Sequence, residues 1–377
     1  MRGVGAFFKN IIKNVDPILF GATAFLCAMS LLTIFGAVDN FGRSKLVMQT
    51  AMTVVGMIMM LVIANLDYKF FIDRFCIMMF VASALLLALT LILGSSGENM
   101  ETANKSWLRL WSGGPMIQPS EFVKIAFICT FAKHLDVVRD KINKPMTLLA
   151  LMLHAGVIVG LILVSGDLGV ALVYIGIIAV MLFSAGLSLW YFLGAGVVGV
   201  LSFPFLWDFL KPYQRNRIIY GFRPDLDPTG DFSLQPLMSV EAISRGGAFG
   251  EGLFGGKIYE RLPASHTDFI FATVCEKFGF VGGALVIIAI AIIVVRLIYI
   301  ALHSSDVTGR LVCCGIAAIF IIQTIENIGM CMGMLPVIGI TLPFMSAGGS
   351  SMLALYIIMG LAHSVRAREK KLYFRKY

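Results

Sequence analysis

Uninterrupted apolar runs, each about as long as a lipid bilayer is thick, make up most of this 377-residue chain. A helix needs about 20 apolar residues to cross the hydrocarbon core, where its backbone hydrogen bonds must be satisfied internally. On this criterion we predict ten spans, at residues 18–38, 46–65, 72–93, 118–135, 147–164, 168–185, 188–207, 270–298, 311–334 and 343–364. Hydrophobic residues are 58% of the sequence and charged residues only 14%, too few to solubilise so much apolar surface. We therefore expect an all-α polytopic membrane protein with a single membrane domain over residues 1–377.

The orientation of the spans follows from lysine and arginine, which are enriched in cytoplasmic loops. An even number of spans puts both termini on one side of the membrane. With that side inside, the inner segments hold most of the basic residues: Arg2, Lys9, Lys13, Lys69, Arg74, Lys133, Arg139, Lys141, Lys144, Arg296, Arg310 and those of the tail at 365–377. We therefore predict cytoplasmic termini and a basic cytoplasmic tail. The net charge of +8 lies in loops between apolar runs, so anionic membrane lipids are better partners than nucleic acid.

Two outer segments are long enough to carry a function. The first covers residues 94–117, and the second, between the seventh and eighth spans, covers residues 208–269. Loops of that length are usually functional or disordered. Because the second contains Tyr213, Phe222 and a glycine-rich run, we predict a folded extracytoplasmic cap over the membrane domain.

Several apparent motifs lack the context that they need. The seven cysteines lie in or beside apolar runs without a C-x-x-C pair, which is typical of small buried residues. Gly250, Gly252 and Gly255 match G-x-G-x-x-G, but no βαβ unit surrounds them. A flexible loop whose backbone can approach a ligand closely is the better interpretation. The histidines have no metal-ligand spacing, so we predict no protein metal site.

Ionisable residues at membrane depth are costly and therefore candidates for function. Glu121 and Lys124 stand three residues apart on one helical face, which also suits an intrahelical ion pair. Asp167 opens the sixth span and suits a helix N-cap. Further polar residues, which could form a buried network or a transport path, lie within the eighth and ninth spans: Glu276, Lys277, Glu326 and Asn327.

Asp268 stands at the outer end of the eighth span, in "LPASHTDFIF" (262–271). His266 and Thr267 precede it, and Pro263 restricts the backbone before them. Partial burial there would raise the pKa of the carboxyl group toward the range of a general base. The alternative is that Asp268 caps the helix that follows.

Six ordered blocks resemble one family, the SEDS proteins of bacterial shape, elongation, division and sporulation, typified by RodA, FtsW and SpoVE. The blocks are "KSWLRLW…IQPSEFVKIA" (105–126), "GDLGVALV" (166–173), "YQRNRI…PDLDPTG" (213–230), "AISRGGAFGEGLFGG" (242–256), "LPASHTDFIFATVCEKFGFVGG" (262–283) and "ENIGMCMGMLPVIGITLPFMSAGGSS" (326–351). The resemblance covers nearly the whole chain. One departure is Lys277, where family members commonly have a second glutamate after the residue that matches Glu276.

The resemblance implies a glycosyltransferase of the bacterial cytoplasmic membrane that polymerises peptidoglycan glycan strands from lipid II. It would form β-1,4 bonds and release undecaprenyl pyrophosphate, and a class B penicillin-binding protein would cross-link the strands. Asp268 matches the essential aspartate of the family, and Trp107, Glu121 and Lys124 match other important positions. "NIGM" and "LPVIGITLPF" are closer to RodA, which implies a role in elongation and cell shape, with division or sporulation as alternatives.

The implied chemistry gives the remaining polar residues roles. Asp268 would remove the proton from the acceptor sugar hydroxyl, with His266 and Thr267 supporting it. Cationic side chains of the outer loops would bind the pyrophosphates: Lys105, Arg109, Arg215, Arg217, Arg223 and Arg245. No organic cofactor is implied, and a divalent cation, Mg²⁺ or Mn²⁺, could share the phosphate charge.

Two other classes of function fit part of the sequence. A lipid II flippase would use Glu121, Lys124, Glu276 and Glu326 as a polar path, although carriers usually bind their substrate near the midplane. A scaffold that only recruits the penicillin-binding protein would need the spans but would not need Asp268.

Overall fold

Helices account for most of the computed structural model, which describes residues 14–95, 105–109 and 116–375. The helices are α1 (Pro17–Phe35), α2 (Val38–Phe41), α3 (Arg43–Ala64), α4 (Tyr68–Leu93), α5 (Pro119–Val138), α6 (Pro145–Val164), α7 (Leu168–Ser184), α8 (Leu189–Phe209), α9 (Pro212–Phe222), α10 (Leu234–Gly246), α11 (Ile258–Arg261), α12 (Ile270–His303), α13 (Val307–Cys331) and α14 (Gly349–Arg375). Single 3₁₀ turns lie at Arg139–Lys141 and Pro224–Leu226. Two short antiparallel strands, β1 (Leu108–Arg109) and β2 (Met116–Ile117), pair Leu108 with Ile117.

A long helix occurs at each of the ten predicted spans. Within the described residues, seven of them are long and apolar enough to cross a membrane: α1, α3, α4, α6, α12, α13 and α14. α7 and the first part of α8 are apolar but shorter, and α5 carries charged residues. For these three helices a membrane crossing stays a prediction.

The starts of the helices follow from local capping. The side chains of Asp16, Asp67, Asp167 and Asp306 each accept a hydrogen bond from a backbone N–H in the first turn that follows. Such caps satisfy donors that a helix cannot satisfy itself. Proline occupies the first turn of α1, α5, α6 and α9, where its missing N–H costs nothing. The N-cap predicted for Asp167 is therefore confirmed.

The helices pack around α12 and α13. α12 contacts α1, α10 and α13, and α13 also contacts α5 and α7. α14 runs along α3, where the ring of Tyr356 packs so closely on Gly56 that a Cβ at Gly56 would lie 2.0 Å from it. α8 lies at the periphery, since none of its described side chains is buried.

Three predicted boundaries need correction. The tenth span was expected from residue 343, but α14 begins at Gly349, and residues 332–348 form an irregular segment that contains Pro343. α14 also continues through most of the predicted tail. The eighth span is longer than expected, and its backbone leaves the helical conformation at Gly279. In the predicted cap, helices α9, α10 and α11 are joined by turns, whereas most of residues 94–117 lie outside the described residues.

Candidate active site

A tight turn before α12 carries Asp268. The backbone N–H groups of Thr267 and Phe269 both donate to the Ala264 carbonyl oxygen, at 3.0 and 3.1 Å. Ala264 has a φ of 53°, an uncommon conformation for a residue with a side chain. The N-cap of α12 is Phe269 and no side chain caps this helix, so the alternative interpretation of Asp268 as a cap is wrong. Its carboxylate therefore remains available for another role.

The backbone of this turn is also bound from the opposite side. Asn327 Nδ2, on α13, donates to the Asp268 carbonyl oxygen at 2.7 Å. Ser346 Oγ, in the irregular segment, donates to the Thr267 carbonyl oxygen at 2.6 Å. Because each anchor comes from a different element, the position of Asp268 depends on the packing of the whole outer end of the bundle.

The Asp268 side chain is half-buried, and we call its surroundings, formed by Asp167, Arg217, Thr267 and Gly339, the Asp268 pocket. Burial raises the pKa of the carboxyl group from its ordinary 3.8 to about 6. The Arg217 guanidinium and the Thr267 side chain oppose this shift, and the carboxylate of Asp167 adds to it. A Cβ at Gly339 would lie 3.4 Å from Asp268 Oδ2, so the irregular segment forms one wall of the pocket. A pKa in this range suits a general base that works near neutral pH.

Asp167, which was expected as a helix N-cap among the ionisable candidates, is a second carboxylate at the site. Its Oδ1 accepts the backbone N–H of Val170 at 3.1 Å, and its Oδ2 accepts Gln118 Nε2 at 3.2 Å. Burial raises the pKa of Asp167, and its charge acts on Asp268. The sequence could have indicated that these two carboxylates lie near each other, because Asp167 and Asp268 both stand at outer ends of predicted spans.

Glu121 and Lys124 form the predicted ion pair on α5. Lys124 Nζ lies 2.9 Å from Glu121 Oε1, and both side chains are buried. Glu121 also acts electrostatically on Asp167, and Lys124 acts on Glu326. Charged groups therefore continue from the Asp268 pocket into the bundle. Glu326 Oε2 is buried without a hydrogen-bond partner among the described residues.

The four predicted phosphate-binding arginines of the cap differ in their surroundings. The positive charge of Arg217, on α9, lowers the pKa of Asp268. Its guanidinium carbon lies 6.0 Å from the centre of the Tyr213 ring. Arg215 is instead bound to the end of α8, where its Nη2 donates to the Asp208 carbonyl oxygen at 2.7 Å.

The other two cap arginines are exposed and paired with nearby carboxylates. Arg223 Nη2 lies 3.2 Å from Asp225 Oδ2, and Arg245 Nη2 lies 3.3 Å from Glu241 Oε1. Of these four arginines, Arg217 is the one whose charge lowers the pKa of Asp268.

The first outer segment supplies three of the predicted residues. Lys105 and Arg109 are exposed, and Trp107 is half-buried. The Lys105 backbone N–H donates to the Ser165 carbonyl oxygen at 3.1 Å, which ties this segment to the end of α6 two residues before Asp167.

His266 packs its ring on Phe41, with 5.2 Å between the ring centres. It therefore supports the turn from the side of α2.

Glu276, one of the four residues of the alternative flippase path, is occupied by structural hydrogen bonds. Glu276 is completely buried, and its carboxylate accepts three backbone N–H groups of residues 257–259. It thus anchors the cap to α12. Within residues 14–95, 105–109 and 116–375, no group of three His, Cys, Asp or Glu side chains could hold a metal ion.

The sequence profile of the FtsW/RodA/SpoVE family, described as "Cell cycle protein", matches residues 17–371. A probable peptidoglycan glycosyltransferase FtsW of Trichlorobacter lovleyi is 35% identical and covers 94% of both chains. Stage V sporulation protein E of Bacillus subtilis is 33% identical over 93% of this chain and 96% of that protein. Peptidoglycan glycosyltransferase RodA of Treponema pallidum is 29% identical over 95% and 99%.

Two solved structures have the same fold over nearly the whole chain. One comes from a peptidoglycan synthase complex that coordinates polymerization and crosslinking, with a TM-score of 0.81, 27% identity and coverage of 94% of this chain and 98% of that one. The other is the rod shape determining protein RodA of Thermus thermophilus, with a TM-score of 0.69, 25% identity and coverage of 93% and 96%.

Proposed function

The chain belongs to the FtsW/RodA/SpoVE family of SEDS proteins, and on that basis we propose that it is a peptidoglycan glycosyltransferase that polymerises glycan strands from lipid II. The observation that carries the proposal is the state of Asp268. Its carboxylate caps no helix, lies in a partly closed pocket and has a pKa raised to about 6. A carboxylate whose pKa lies in this range, and which does not cap the helix beside it, suits the role of a general base.

The reaction joins two lipid-linked disaccharides. The 4-hydroxyl oxygen of the acceptor GlcNAc attacks the anomeric carbon of the donor, and the bond from that carbon to the pyrophosphate oxygen breaks. Asp268 takes the hydroxyl proton as the bond forms, and undecaprenyl pyrophosphate leaves with the bonding electron pair. Such base catalysis contributes roughly 10²–10⁴-fold. Because the donor pyrophosphate is α-linked, one direct displacement gives a β-1,4 bond.

The leaving pyrophosphate develops negative charge, which preorganised cations stabilise. Arg217 is the best candidate because its guanidinium already acts on the Asp268 pocket. Lys105 and Arg109 lie in the segment tied to the end of α6 and are exposed. Arg223 and Arg245 would have to leave their carboxylate partners to contribute, and Arg215 would have to leave the end of α8.

The remaining candidates support the pocket rather than react. The Glu121–Lys124 pair would shape the inner end of the cavity, and Trp107 and His266 would line its outer side. Mg²⁺ or Mn²⁺ could accompany the pyrophosphate as part of the substrate complex. Grooves between the helices would accept the polyprenyl chains, since lipid-facing side chains there are apolar.

We propose that the protein works in the bacterial cytoplasmic membrane with a class B penicillin-binding protein as partner. Ten crossings, with α5, α7 and α8 included, would leave both termini in the cytoplasm and the large loop outside. The structurally similar synthase complex, which combines polymerization with crosslinking, supports this partnership.

An elongation role is the finer proposal, and it rests on the "NIGM" and "LPVIGITLPF" segments. The FtsW and sporulation relatives have higher identity than the Treponema RodA, which favours the division and sporulation alternatives. Complementation of depletion strains for each process would separate the three roles.

A reconstituted assay separates polymerase, flippase and scaffold. The protein with its co-purified partner is placed in liposomes that contain lipid II on both leaflets, so that translocation is not required. A product that a β-1,4-specific muramidase digests supports the polymerase. Lipid II movement across the bilayer without any polymer would support the flippase, and neither activity with intact partner binding would support the scaffold.

A further inference from the structure

The backbone of α12 is interrupted eleven residues after Asp268, at Gly279, whose φ is 66° and ψ is −164°. An interruption leaves helical N–H and carbonyl groups without their usual partners, which is costly beside a membrane. Here the glycine-rich loop 247–256 supplies the partners. The backbone N–H groups of Glu251 and Gly252 donate to the backbone carbonyl oxygens of Glu276 and Lys277. In the other direction, the N–H groups of Phe280 and Val281 donate to the carbonyl oxygens of Gly247 and Ala248, and all four distances are 2.8–3.1 Å.

The fit of the loop into the break requires glycine. A Cβ at Gly250 would lie 2.2 Å from the Lys277 carbonyl oxygen, and Gly250 has a φ of 81°. A Cβ at Gly279 would lie 2.4 Å from the Gly250 nitrogen. Gly250, one of the glycines that matched a nucleotide motif in the sequence, therefore serves close contact with α12.

Two adjacent buried charges hold the loop in this position. Glu276 Oε1 accepts the N–H groups of Lys257 and Ile258 at 2.8 Å, and Oε2 accepts that of Tyr259 at 2.9 Å. Lys277 Nζ donates to the carbonyl oxygens of Gly36 and Leu253 at 3.0 Å and Gly255 at 3.3 Å, and lies 4.0 Å from the centre of the Tyr259 ring. Each charge thus satisfies three backbone groups, and Lys277 also links the loop to the end of α1.

The same residues are connected to the turn that carries Asp268. Ser265 Oγ donates to the Tyr259 carbonyl oxygen at 2.8 Å, and Thr273 Oγ1 donates to the Ser265 carbonyl oxygen at 2.9 Å. The turn is therefore bound on this side to the loop and on the other side to α13 and the irregular segment. If the loop detached, the part of α12 before Gly279 could move relative to the part after it.

We propose that Glu276 and Lys277 are positioning residues, which clamp loop 247–256 across the break in α12 and thereby fix Asp268 in its partly closed pocket. The inference rests on the proposed function of Asp268 as the base. It also accounts for lysine at position 277, where a carboxylate would face three carbonyl oxygens.

The test uses two substitutions that act on the clamp from different sides. Glu276→Gln replaces an acceptor by an amide that cannot accept all three N–H groups. Gly250→Ala changes no charge, removes the space that the loop needs and strains a backbone with a φ of 81°. Gly196→Ala, on the peripheral α8, is the matched control because a Cβ there meets nothing within 4 Å. A shift of the catalytic base by about 1 Å can lower kcat on the order of 10²-fold.

The acid limb of the pH–rate profile distinguishes positioning from a general loss of stability. Asp268 is faced by Arg217 from α9, Asp167 at the start of α7 and Cys331 on α13, and none of these groups is altered in Gly250→Ala. A loosened loop would admit water to the pocket, which weakens the desolvation that raises the Asp268 pKa. In both variants we expect a lower kcat with little change in KM and an acid limb displaced to lower pH, with Gly196→Ala like the wild type.

Hydrogen–deuterium exchange of residues 257–269 provides a readout that does not depend on activity. Faster exchange there in folded, monodisperse Glu276→Gln and Gly250→Ala protein supports the clamp. Unchanged exchange, or an acid limb that stays in place while kcat falls, would overturn it. If wild-type protein does not polymerise lipid II, the proposed function fails, whereas the exchange experiment still decides whether the clamp exists.

Discussion

Replacement of Asp268 by asparagine should stabilise the fold at neutral pH. Asparagine resembles the protonated carboxyl group in shape and has no charge to desolvate. The wild-type pocket holds a group that burial makes harder to ionise, with a pKa of about 6 against an ordinary 3.8. The folded protein therefore binds the Asp268 proton more tightly than the unfolded chain does.

The size of the effect follows from that difference in pKa. A shift of one unit corresponds to 1.36 kcal/mol, so about two units correspond to about 3 kcal/mol as an upper order of magnitude. The size of the effect depends on pH, whereas its sign does not. Below pH 4 the carboxyl group is protonated in both states and contributes no difference, and stability is lost as the pH rises through about 6. At pH 7.5 the full difference is present.

The assay is thermal unfolding of the purified protein in one detergent, for wild type and Asp268→Asn, at pH 7.5 and pH 5. We expect a higher Tm for the variant at pH 7.5 and a smaller gap at pH 5. Leu262→Ala in the same turn is the opposite control, because loss of a buried side chain should lower Tm at both pH values. A variant less stable than wild type at pH 7.5, or a gap independent of pH, would refute the desolvated-carboxylate interpretation.

Three further predictions concern the pocket and its surroundings. Lys124→Met should leave Glu121 buried without its partner and reduce the free energy of unfolding by about 3–5 kcal/mol, and the double variant with Glu121→Gln should recover part of this in a denaturant titration; equal losses in both would argue against the pair. The rate of polymerisation at saturating substrate should fall below pH 6 with a single ionisation, as Asp268 becomes protonated, and a flat profile from pH 5 to 8 would exclude Asp268 as the base. Arg217→Ala should slow polymerisation at least 10-fold, whereas Arg223→Ala, which removes an exposed ion pair, should change it less than 2-fold; similar effects of both would remove the special role of Arg217.

The helices could be predicted from sequence because each satisfies a local requirement. An apolar run of about 20 residues, an aspartate or proline at its start and a break at its end suffice to locate most of them. The boundary at residue 343 failed for a tertiary reason. Residues 343–348 were assigned to the span, but the Ser346 hydroxyl and the Ala347 backbone N–H donate to the carbonyl oxygens of Thr267 and His266 in the Asp268 turn instead of continuing a helix.

The candidate site was predictable only in part. Glu121 and Lys124 were expected to pair because helical spacing alone brings them together, and the structure has that pair. The contribution of Asp167 and the separation of Arg217 from the other cap arginines depend on the tertiary packing around the Asp268 turn, which no local pattern encodes. Glu276 and Lys277 were expected in a buried polar network or a transport path, and their actual partners are mainly backbone groups of a distant loop, which side-chain patterns do not reveal.

The central claim is that Asp268 is the base for glycan polymerisation, and the most direct measurement compares wild type and Asp268→Asn. Each would be co-purified with its penicillin-binding partner and incubated with lipid II, and the glycan chains would be separated by length. We expect chains from the wild type and none from an Asp268→Asn protein that is folded and still bound to its partner. Chains of equal length and yield from both proteins would contradict the assignment.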